Sequence, residues 1–197
     1  MSAPVSTPPD SRKAGLVLVA VMAALMWVLE IIDSVLGGRL DALGIEPREV
    51  ESLPGVVLAP FLHGGFGHLI SNTVPLLVLG ALVALSGLVR VLKVTALVVL
   101  VGGLGIWLVA PGGTIHLGAS ILVFGYAAYL IARGLFDRRF AYLAVGVVVA
   151  FVYGTGLLIG LLPRPGISWQ GHLFGALGGL LAAKVLAQPK RRQALRG

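Results

Sequence analysis

Residues 117–133 read LGASILVFGYAAYLIAR, an apolar run with a serine near its start, and five similar apolar runs accompany it. The six runs cover residues 14–36, 66–87, 91–110, 117–133, 140–161 and 169–187. A helix of about 20 apolar residues is long enough to cross a bilayer. We therefore predict an all-α, polytopic membrane protein, built as a bundle of six transmembrane helices.

The composition supports this fold class and excludes chemistry that depends on cysteine. Of the 197 residues, 57% are hydrophobic and 12% are charged, which is about half the charged fraction of a soluble domain. The chain has no cysteine, so disulfides and thiolate chemistry are excluded. The net charge of +7 comes from scattered or terminal basic residues. In a membrane protein such an excess reports orientation, so we predict no nucleic-acid binding.

We divide the chain into one membrane domain and two tails. Residues 1–13 are predicted to be a disordered cytoplasmic tail, because their first ten residues are polar and rich in proline. The six-helix membrane domain covers residues 14–187. Residues 188–197 form a basic cytoplasmic tail at the membrane surface. The run at 14–36 is too long for the apolar part of a signal peptide, so we interpret it as a retained helix.

The basic residues predict the orientation of the bundle. They lie before the first run, between the second and third, between the fourth and fifth, and at the end of the chain: Arg12, Lys13, Arg90, Lys93, Arg133, Arg138, Arg139, Lys184, Lys190, Arg191, Arg192 and Arg196. The positive-inside rule places both termini in the cytoplasm. We therefore predict a multi-pass protein of the cell membrane whose second, fourth and sixth helices begin near the outer face.

Polar residues near the start of these three helices are candidate site residues, because ionisable groups at membrane depth are costly. His68 and Asn72 are four residues apart and share one face of the second helix. Ser120 and His172 lie near the start of the fourth and sixth helices. A serine nucleophile needs a base, and histidine is the usual one. We predict Ser120 as nucleophile, His172 as general base, and His68 and Asn72 as oxyanion donors.

Neighbouring residues support this assignment. No carboxylate lies near these positions in the sequence, so the prediction is a dyad without an acidic third member. Gly175 and Gly179 share a helical stripe with the base, and small residues at that spacing let two helices approach closely. Gly118 precedes the nucleophile by two residues, and Phe124 lies one turn beyond it. We expect the fourth and sixth helices to pack together and Phe124 to stack on the imidazole.

Together these residues resemble the three motifs of the rhomboid intramembrane proteases. The motifs are His63-xxxx-His68-xxx-Asn72, Gly118-Ala119-Ser120 and Gly171-His172-xx-Gly175-xxx-Gly179. They fall in order on the second, fourth and sixth helices, and the resemblance extends from about Gly44 to Lys184.

The resemblance implies a serine endopeptidase that needs no metal or cofactor and works through an acyl-enzyme intermediate. It implies a dyad of Ser120 and His172, an oxyanion hole of His68, Asn72 and the Ser120 amide, and a structural role for His63. It further implies that the substrates are single-pass membrane proteins. These would enter laterally from the lipid bilayer, near the second and fifth helices, and be cut near small residues.

Two features depart from the family pattern. Ile121 follows the serine where the family usually has glycine, which adds bulk beside the nucleophile. The first loop usually carries a Trp-Arg pair, and this loop has only Arg48, in a different context. Neither departure removes a reacting group.

Two alternative functions remain open from the sequence. Four histidines near one face are compatible with a metal site, although the His-Glu-xx-His motif of membrane metalloproteases is absent. The other is a catalytically inactive rhomboid-like protein that binds membrane helices, for which Ile121 is the only support. We interpret His116 as a loop residue near the rim of the site. The sequence predicts no oligomeric state.

Overall fold

The computed structural model describes residues 8–188, which form seven α-helices and contain no extended strand. The helices are α1 (Pro9–Leu36), α2 (Gly55–Leu58), α3 (Phe66–Ala84), α4 (Leu88–Val109), α5 (Ser120–Asp137), α6 (Phe140–Gly160) and α7 (Trp169–Val185). Three short 3-10 turns lie between α1 and α3, at Leu40–Leu43, Val50–Ser52 and Ala59–Phe61. The predicted all-α fold class is confirmed.

Five helices are long and apolar enough to cross a membrane, namely α1, α3, α4, α5 and α6. The chain is therefore a multi-pass membrane protein, as predicted. Helix α7 has 17 residues and is about 25 Å long at 1.5 Å per residue. This is somewhat less than the roughly 30 Å of a bilayer's hydrocarbon core, so the sixth crossing stays a prediction.

The first helix begins earlier than predicted. Residues 9–13, assigned above to a disordered tail, are the first residues of α1. Pro9 suits this position, because its fixed φ is helical and its missing N–H would have had no partner in the first turn. Ser11 Oγ also accepts a hydrogen bond of 3.2 Å from the Leu88 N–H, which ties this end of α1 to α4. Most of the predicted tails, residues 1–7 and 189–197, lie outside the described residues.

The fourth apolar run also continues past its predicted end. Arg133 is buried inside α5, whereas the sequence predicts it in the connection that follows. Its Nε donates to Asp137 Oδ2 at 3.0 Å, and a terminal nitrogen donates to Ser86 Oγ at 2.6 Å. A buried charge is tolerated when it is paired and hydrogen-bonded in this way. Asp137 Oδ1 accepts from the Gln188 N–H as well, so the network joins the ends of α3, α5 and α7.

Helix α5 lies at the centre of the bundle, and α7 packs closely against it. A Cβ atom at Gly175 would lie 2.5 Å from the carbonyl oxygen of Ile121, and one at Gly179 would overlap the backbone of Gly125. Only glycine at these two positions allows so close an approach of the backbones. The structure thus places the predicted glycine stripe at the contact between the fourth and sixth predicted helices.

The connection between α1 and α3 folds onto the end of α4. The Arg48 guanidinium donates to Ala110 O at 2.8 Å, and its backbone N–H donates to Trp107 O at 3.1 Å. In return, Trp107 Nε1 donates to Glu49 O at 2.9 Å. These bonds satisfy carbonyl groups at the end of α4 that lack helical partners. They fix the connection beside the start of α5, where Ile45 pairs with His116 through two backbone hydrogen bonds.

Candidate active site

An open cavity of about 890 Å³ lies at the end of the bundle where α3, α5 and α7 begin. Its polar lining includes Asp41, His68, His116, Ser120, Ser168 and His172. Three of the predicted site residues therefore meet in one space, although they are far apart in the sequence. They do so because each is within the first turn of its helix, and the three helices point the same way.

Ser120 is the first residue of α5. The turn before it contains Gly118, whose φ of 116° favours glycine. A Cβ atom at Gly118 would also lie 2.5 Å from Cε1 of His68, so the glycine lets the His68 ring approach the backbone. The first amide groups of a helix have no intrahelical partner and lie at the positive end of its dipole. The backbone beside Ser120 is therefore suited to stabilise a negative charge in the cavity.

His172 is the fourth residue of α7, and its ring is held in two ways. Nδ1 lies 2.7 Å from the carbonyl oxygen of Gly160, so Nδ1 carries the proton and Nε2 is the free base. The ring also stacks on Phe124, with centroids 4.0 Å apart and planes inclined by 7°. The predicted stacking aromatic is therefore in contact with the imidazole.

The partner of Nδ1 comes from the end of α6. Gly160 is its last residue, and carbonyl groups in the last turn of a helix have no intrahelical partner. A Cβ atom at Gly160 would lie 2.5 Å from Cζ of Phe124 and 3.1 Å from Nδ1 of His172. Glycine is therefore what allows this carbonyl to reach the imidazole. This contact could not be predicted from the sequence, because a backbone carbonyl carries no residue-specific signal.

Ser120 and His172 share the cavity, but within the described part of the chain no hydrogen bond joins Ser120 Oγ to the imidazole. In active sites without substrate, such bonds are often long and become short only in the complex. The contact between α5 and α7 at Gly175 holds the two side chains on one side of the bundle. The arrangement suits proton transfer from a serine hydroxyl to a neutral histidine.

The two predicted oxyanion donors are placed differently. His68 lines the cavity, in the first turn of α3. Asn72 is buried and does not line it. The Asn72 amide nitrogen donates to the carbonyl oxygen of His68 at 3.1 Å, a bond within its own helix. The structure thus places His68 in the same cavity as Ser120, whereas Asn72 lies one turn further along α3.

His63 lies in the loop before α3, and its side chain is only 2% exposed. Its Nε2 accepts a hydrogen bond of 3.2 Å from the N–H of Ala119, the residue before Ser120. Burial and, as a smaller effect, the neighbouring His68 together lower the pKa of His63 to about 4. The ring is therefore neutral and acts as an acceptor, which fits the structural role that the resemblance implies.

Two further residues of the cavity, Asp41 and His116, come from the connections before α3 and before α5. Asp41 lines the cavity, although no carboxylate lies near the predicted site residues in the sequence. Burial, together with the nearby charge of Asp33, raises the pKa of Asp41. The hydrogen-bond partner of His172 is nevertheless Gly160 and not Asp41, so the dyad assignment is unchanged. His116 lies in the loop before α5, as predicted, and it is buried with both of its ring nitrogens hydrogen-bonded.

The arrangement of the histidines does not favour the metal-site alternative. Within residues 8–188, no three histidine or carboxylate side chains are grouped in a way that could hold a metal ion. Ring nitrogens of His63, His116 and His172 are already engaged with backbone or hydroxyl groups.

Comparison with known proteins gives one family match and several relatives. Residues 51–189 match the model of the Rhomboid domain. An uncharacterized protein of Mycobacterium tuberculosis is 47% identical over 178 residues, which cover 86% of this chain and 74% of the relative. An uncharacterized protein of Mycobacterium leprae is 43% identical over 187 residues, covering 90% and 74%. A Bacillus subtilis protein that is provisionally named a rhomboid protease is 28% identical over 133 residues, covering 67% and 66%.

Proposed function

Since the chain belongs to the rhomboid family, we propose that it is an intramembrane serine endopeptidase with Ser120 as nucleophile and His172 as general base. The observation that carries the proposal is the state of His172. Its Nδ1–H is bonded to Gly160 O and its ring is stacked on Phe124, so Nε2 is left as a free base in the cavity that Ser120 also lines.

The proposed reaction follows the chemistry of a serine acyl transfer. His172 Nε2 accepts the proton of Ser120 as Oγ attacks the carbonyl carbon of the substrate's peptide bond. The imidazolium then gives this proton to the leaving amine, and the acyl group stays on Oγ. A water molecule, activated by the same Nε2, hydrolyses the ester and restores the serine. The bond from Nδ1 to Gly160 O stabilises the imidazolium and fixes its tautomer.

Negative charge develops on the carbonyl oxygen during both steps. We propose that the Ser120 amide, at the positive end of α5, and the His68 side chain are its nearest donors. Asn72 is the third proposed donor. Its amide nitrogen is bonded to His68 O without substrate, so a side-chain rotation must accompany its entry into the oxyanion hole.

The proposed substrates are single-pass membrane proteins that enter from the lipid between α3 and α6. The loose packing of α6 supports this route, because only Gly146 and Val149 of its 21 residues are buried. We also propose that the cavity lies near the outer face of the cell membrane, with both termini in the cytoplasm. Basic residues at the opposite end of the bundle, where α1 and α4 begin, support this orientation: Arg12, Lys13, Arg90 and Lys93.

The alternative, an inactive rhomboid-like protein that binds membrane helices, depended on the bulk of Ile121. In the structure the Ile121 side chain is buried and occupies the space left by two glycines, Gly102 and Gly175. Its bulk therefore lies in the contact between α4, α5 and α7. This placement supports the proposed activity over the inactive alternative.

The direct test is cleavage of a single-pass substrate in liposomes by the wild-type chain and by Ser120→Ala. We expect the wild type to cleave and the variant to be inactive while still inserting and folding. Cleavage by Ser120→Ala would contradict the nucleophile assignment. A wild type that binds the substrate helix but never cleaves it would favour the inactive alternative.

A further inference from the structure

We propose that His116 is a positioning residue, which fastens the loop before α5 to the first turn of α7 and thereby sets His172 relative to Ser120. The proposal rests on the proposed function, because it concerns the geometry of that dyad. It adds a residue that none of the three motifs contains.

The backbone of His116 is fixed before its side chain is considered. Its N–H donates to Ile45 O at 2.9 Å, and its carbonyl accepts from the Ile45 N–H at 2.8 Å. The residue is 8% exposed and its ring lies in the wall of the cavity. A side chain held in this way has little freedom, so its two hydrogen bonds are well defined.

The ring joins two hydroxyl groups. Nδ1 lies 2.7 Å from Oγ of Ser168, and Nε2 lies 2.9 Å from Oγ1 of Thr114. Ser168 is the N-cap of α7, where its Oγ accepts from the N–H of Gly171 at 3.3 Å. Thr114 Oγ1 donates to the carbonyl oxygen of Pro111 at 2.5 Å. The ring thus connects the cap of α7 with the turn that precedes α5.

The protons in this chain of bonds have one consistent order. Thr114 gives its single proton to Pro111 O, so it must accept from Nε2–H of His116. The neutral ring then has its lone pair on Nδ1, which accepts the O–H of Ser168. Ser168 still has an acceptor position for the Gly171 N–H. Every group donates once and accepts once, so the chain is complete without water.

A protonated ring would break this order. Nδ1 would become a donor, and the Ser168 hydroxyl could no longer donate to it. Burial lowers the pKa of His116, which keeps the ring in the neutral form that the chain requires. Other ionisable groups in the cavity wall are His68, His172, Asp41 and Arg164.

The position of the link in the chain gives it a catalytic consequence. His116 lies four residues before Ser120, and Ser168 lies four residues before His172. The bond therefore joins the two segments that lead into the nucleophile and the base. A displacement of about 1 Å in an active site can lower the rate by about 10²-fold, so a link this close to both residues controls their alignment.

Two nearly isosteric substitutions test the link at each ring nitrogen. The amide of Asn places an acceptor near the position of Nδ1, whereas the amide of Gln lies near Nε2. We expect His116→Asn to keep most of the activity, because it still accepts from Ser168. His116→Gln should lower kcat about 10- to 100-fold and leave KM unchanged, because substrate contacts remain. A merely space-filling role would make the two variants equal.

A double-mutant cycle with Ser168→Ala tests whether the two residues act as one link. We expect His116→Gln with Ser168→Ala to lose no more kcat than the worse single variant, because both break the same bond. Thr114→Val is the control. It removes the bonds of Thr114 to His116 Nε2 and to Pro111 O but leaves the bond between Nδ1 and Ser168, so it should cost less than His116→Gln. The thermal unfolding midpoint of each variant shows that it is folded.

The outcomes separate this inference from the proposed function. A wild-type chain that cleaves, together with losses that multiply in the double variant or with equal rates for His116→Asn and His116→Gln, would overturn the positioning role alone. A wild-type chain that neither cleaves nor reacts with a fluorophosphonate would overturn the proposed function and the positioning role with it. Rescue by asparagine and a non-additive cycle would support both.

Discussion

Helices α5 and α6 follow each other in the chain and have opposite environments. In α5, 13 of 18 residues are buried, whereas in α6 only two of 21 are buried. The buried helix is the less apolar one, since its mean hydropathy over 18 residues is 1.3, against 2.2 for α6. In a bilayer, therefore, apolarity reports contact with lipid, while small and polar residues report contact with protein.

The loosely packed helix nevertheless reaches the candidate site. The general base is carried by α7, which packs closely on α5, but its ring is oriented by the last carbonyl of α6. The close packing of α5 and α7 holds the reacting groups in place, whereas α6 contributes one hydrogen bond, to His172.

The dyad on α5 and α7 gives the largest effect. Ser120→Ala and His172→Ala should each lower kcat by about 10³-fold or more, and the double variant should be no worse, because the two residues act as a unit. Cleavage of a single-pass substrate in liposomes measures this. Ser34→Ala, at an exposed serine near the end of α1, is the matched control and should be fully active. Substantial activity in either single variant would contradict the assignment.

The packing of α5 on α7 gives the next effect. A Cβ atom at Gly175 would lie 2.5 Å from Ile121 O, whereas a Cβ atom at Gly156 of α6 would have no neighbouring atom within 4 Å. Gly175→Val should destabilise the protein by about 1–3 kcal/mol and lower activity by about 10²-fold through misalignment. Gly156→Val should do neither. Thermal unfolding and cleavage rates measure both effects. Equal stability and activity of the two variants would contradict the difference in packing between α7 and α6.

A substitution at Gly160 tests what α6 contributes to the orientation of the His172 ring. Gly160→Ala places a Cβ atom 2.5 Å from Phe124 and 3.1 Å from the His172 ring, so the ring must move. We expect kcat to fall roughly 10- to 100-fold with little loss of stability, because α6 buries few residues. Gly156→Ala, on the same helix, should keep full activity. If both alanine variants are fully active, the hydrogen bond from His172 to α6 has no catalytic importance.

The smallest effect concerns pH and His63, which holds the backbone before α5. Its pKa is lowered from 6.5 to about 4 in the folded state, so the unfolded chain binds a proton more readily. Its contribution to stability is therefore complete above about pH 6.5 and is lost as the pH falls towards 4. The thermal unfolding midpoint of the wild type should decrease across this interval. The decrease should be smaller in His63→Gln, and an unchanged slope would contradict the role of this ring.

The fold class could be predicted because apolar runs indicate transmembrane helices. The depth of the candidate site in the membrane could be predicted because polar and ionisable residues, whose burial in lipid is energetically costly, lie near the start of three of these helices. The predicted end of α5 is too early, because a cation such as Arg133 is typical of a connecting loop. A local signal was present, since Asp137 lies four residues further on and pairs with it. The early start of α1 also had a signal, in Pro9 at the first helical position.

The rest of the site could not be predicted, for a physical reason. Asp41 and His116 reach the cavity through loops whose paths depend on tertiary contacts, such as the backbone pairing of His116 with Ile45. The carbonyl of Gly160 is a backbone group, which every residue possesses. Neither helical periodicity nor membrane depth distinguishes such groups.

The most direct test of the central claim is to locate the site of fluorophosphonate labelling by mass spectrometry. The claim is that His172 activates Ser120, so the wild-type chain should be labelled at Ser120 and His172→Ala should be folded but unlabelled. Labelling at another serine, or equal labelling of Ser120 in the two proteins, would contradict it.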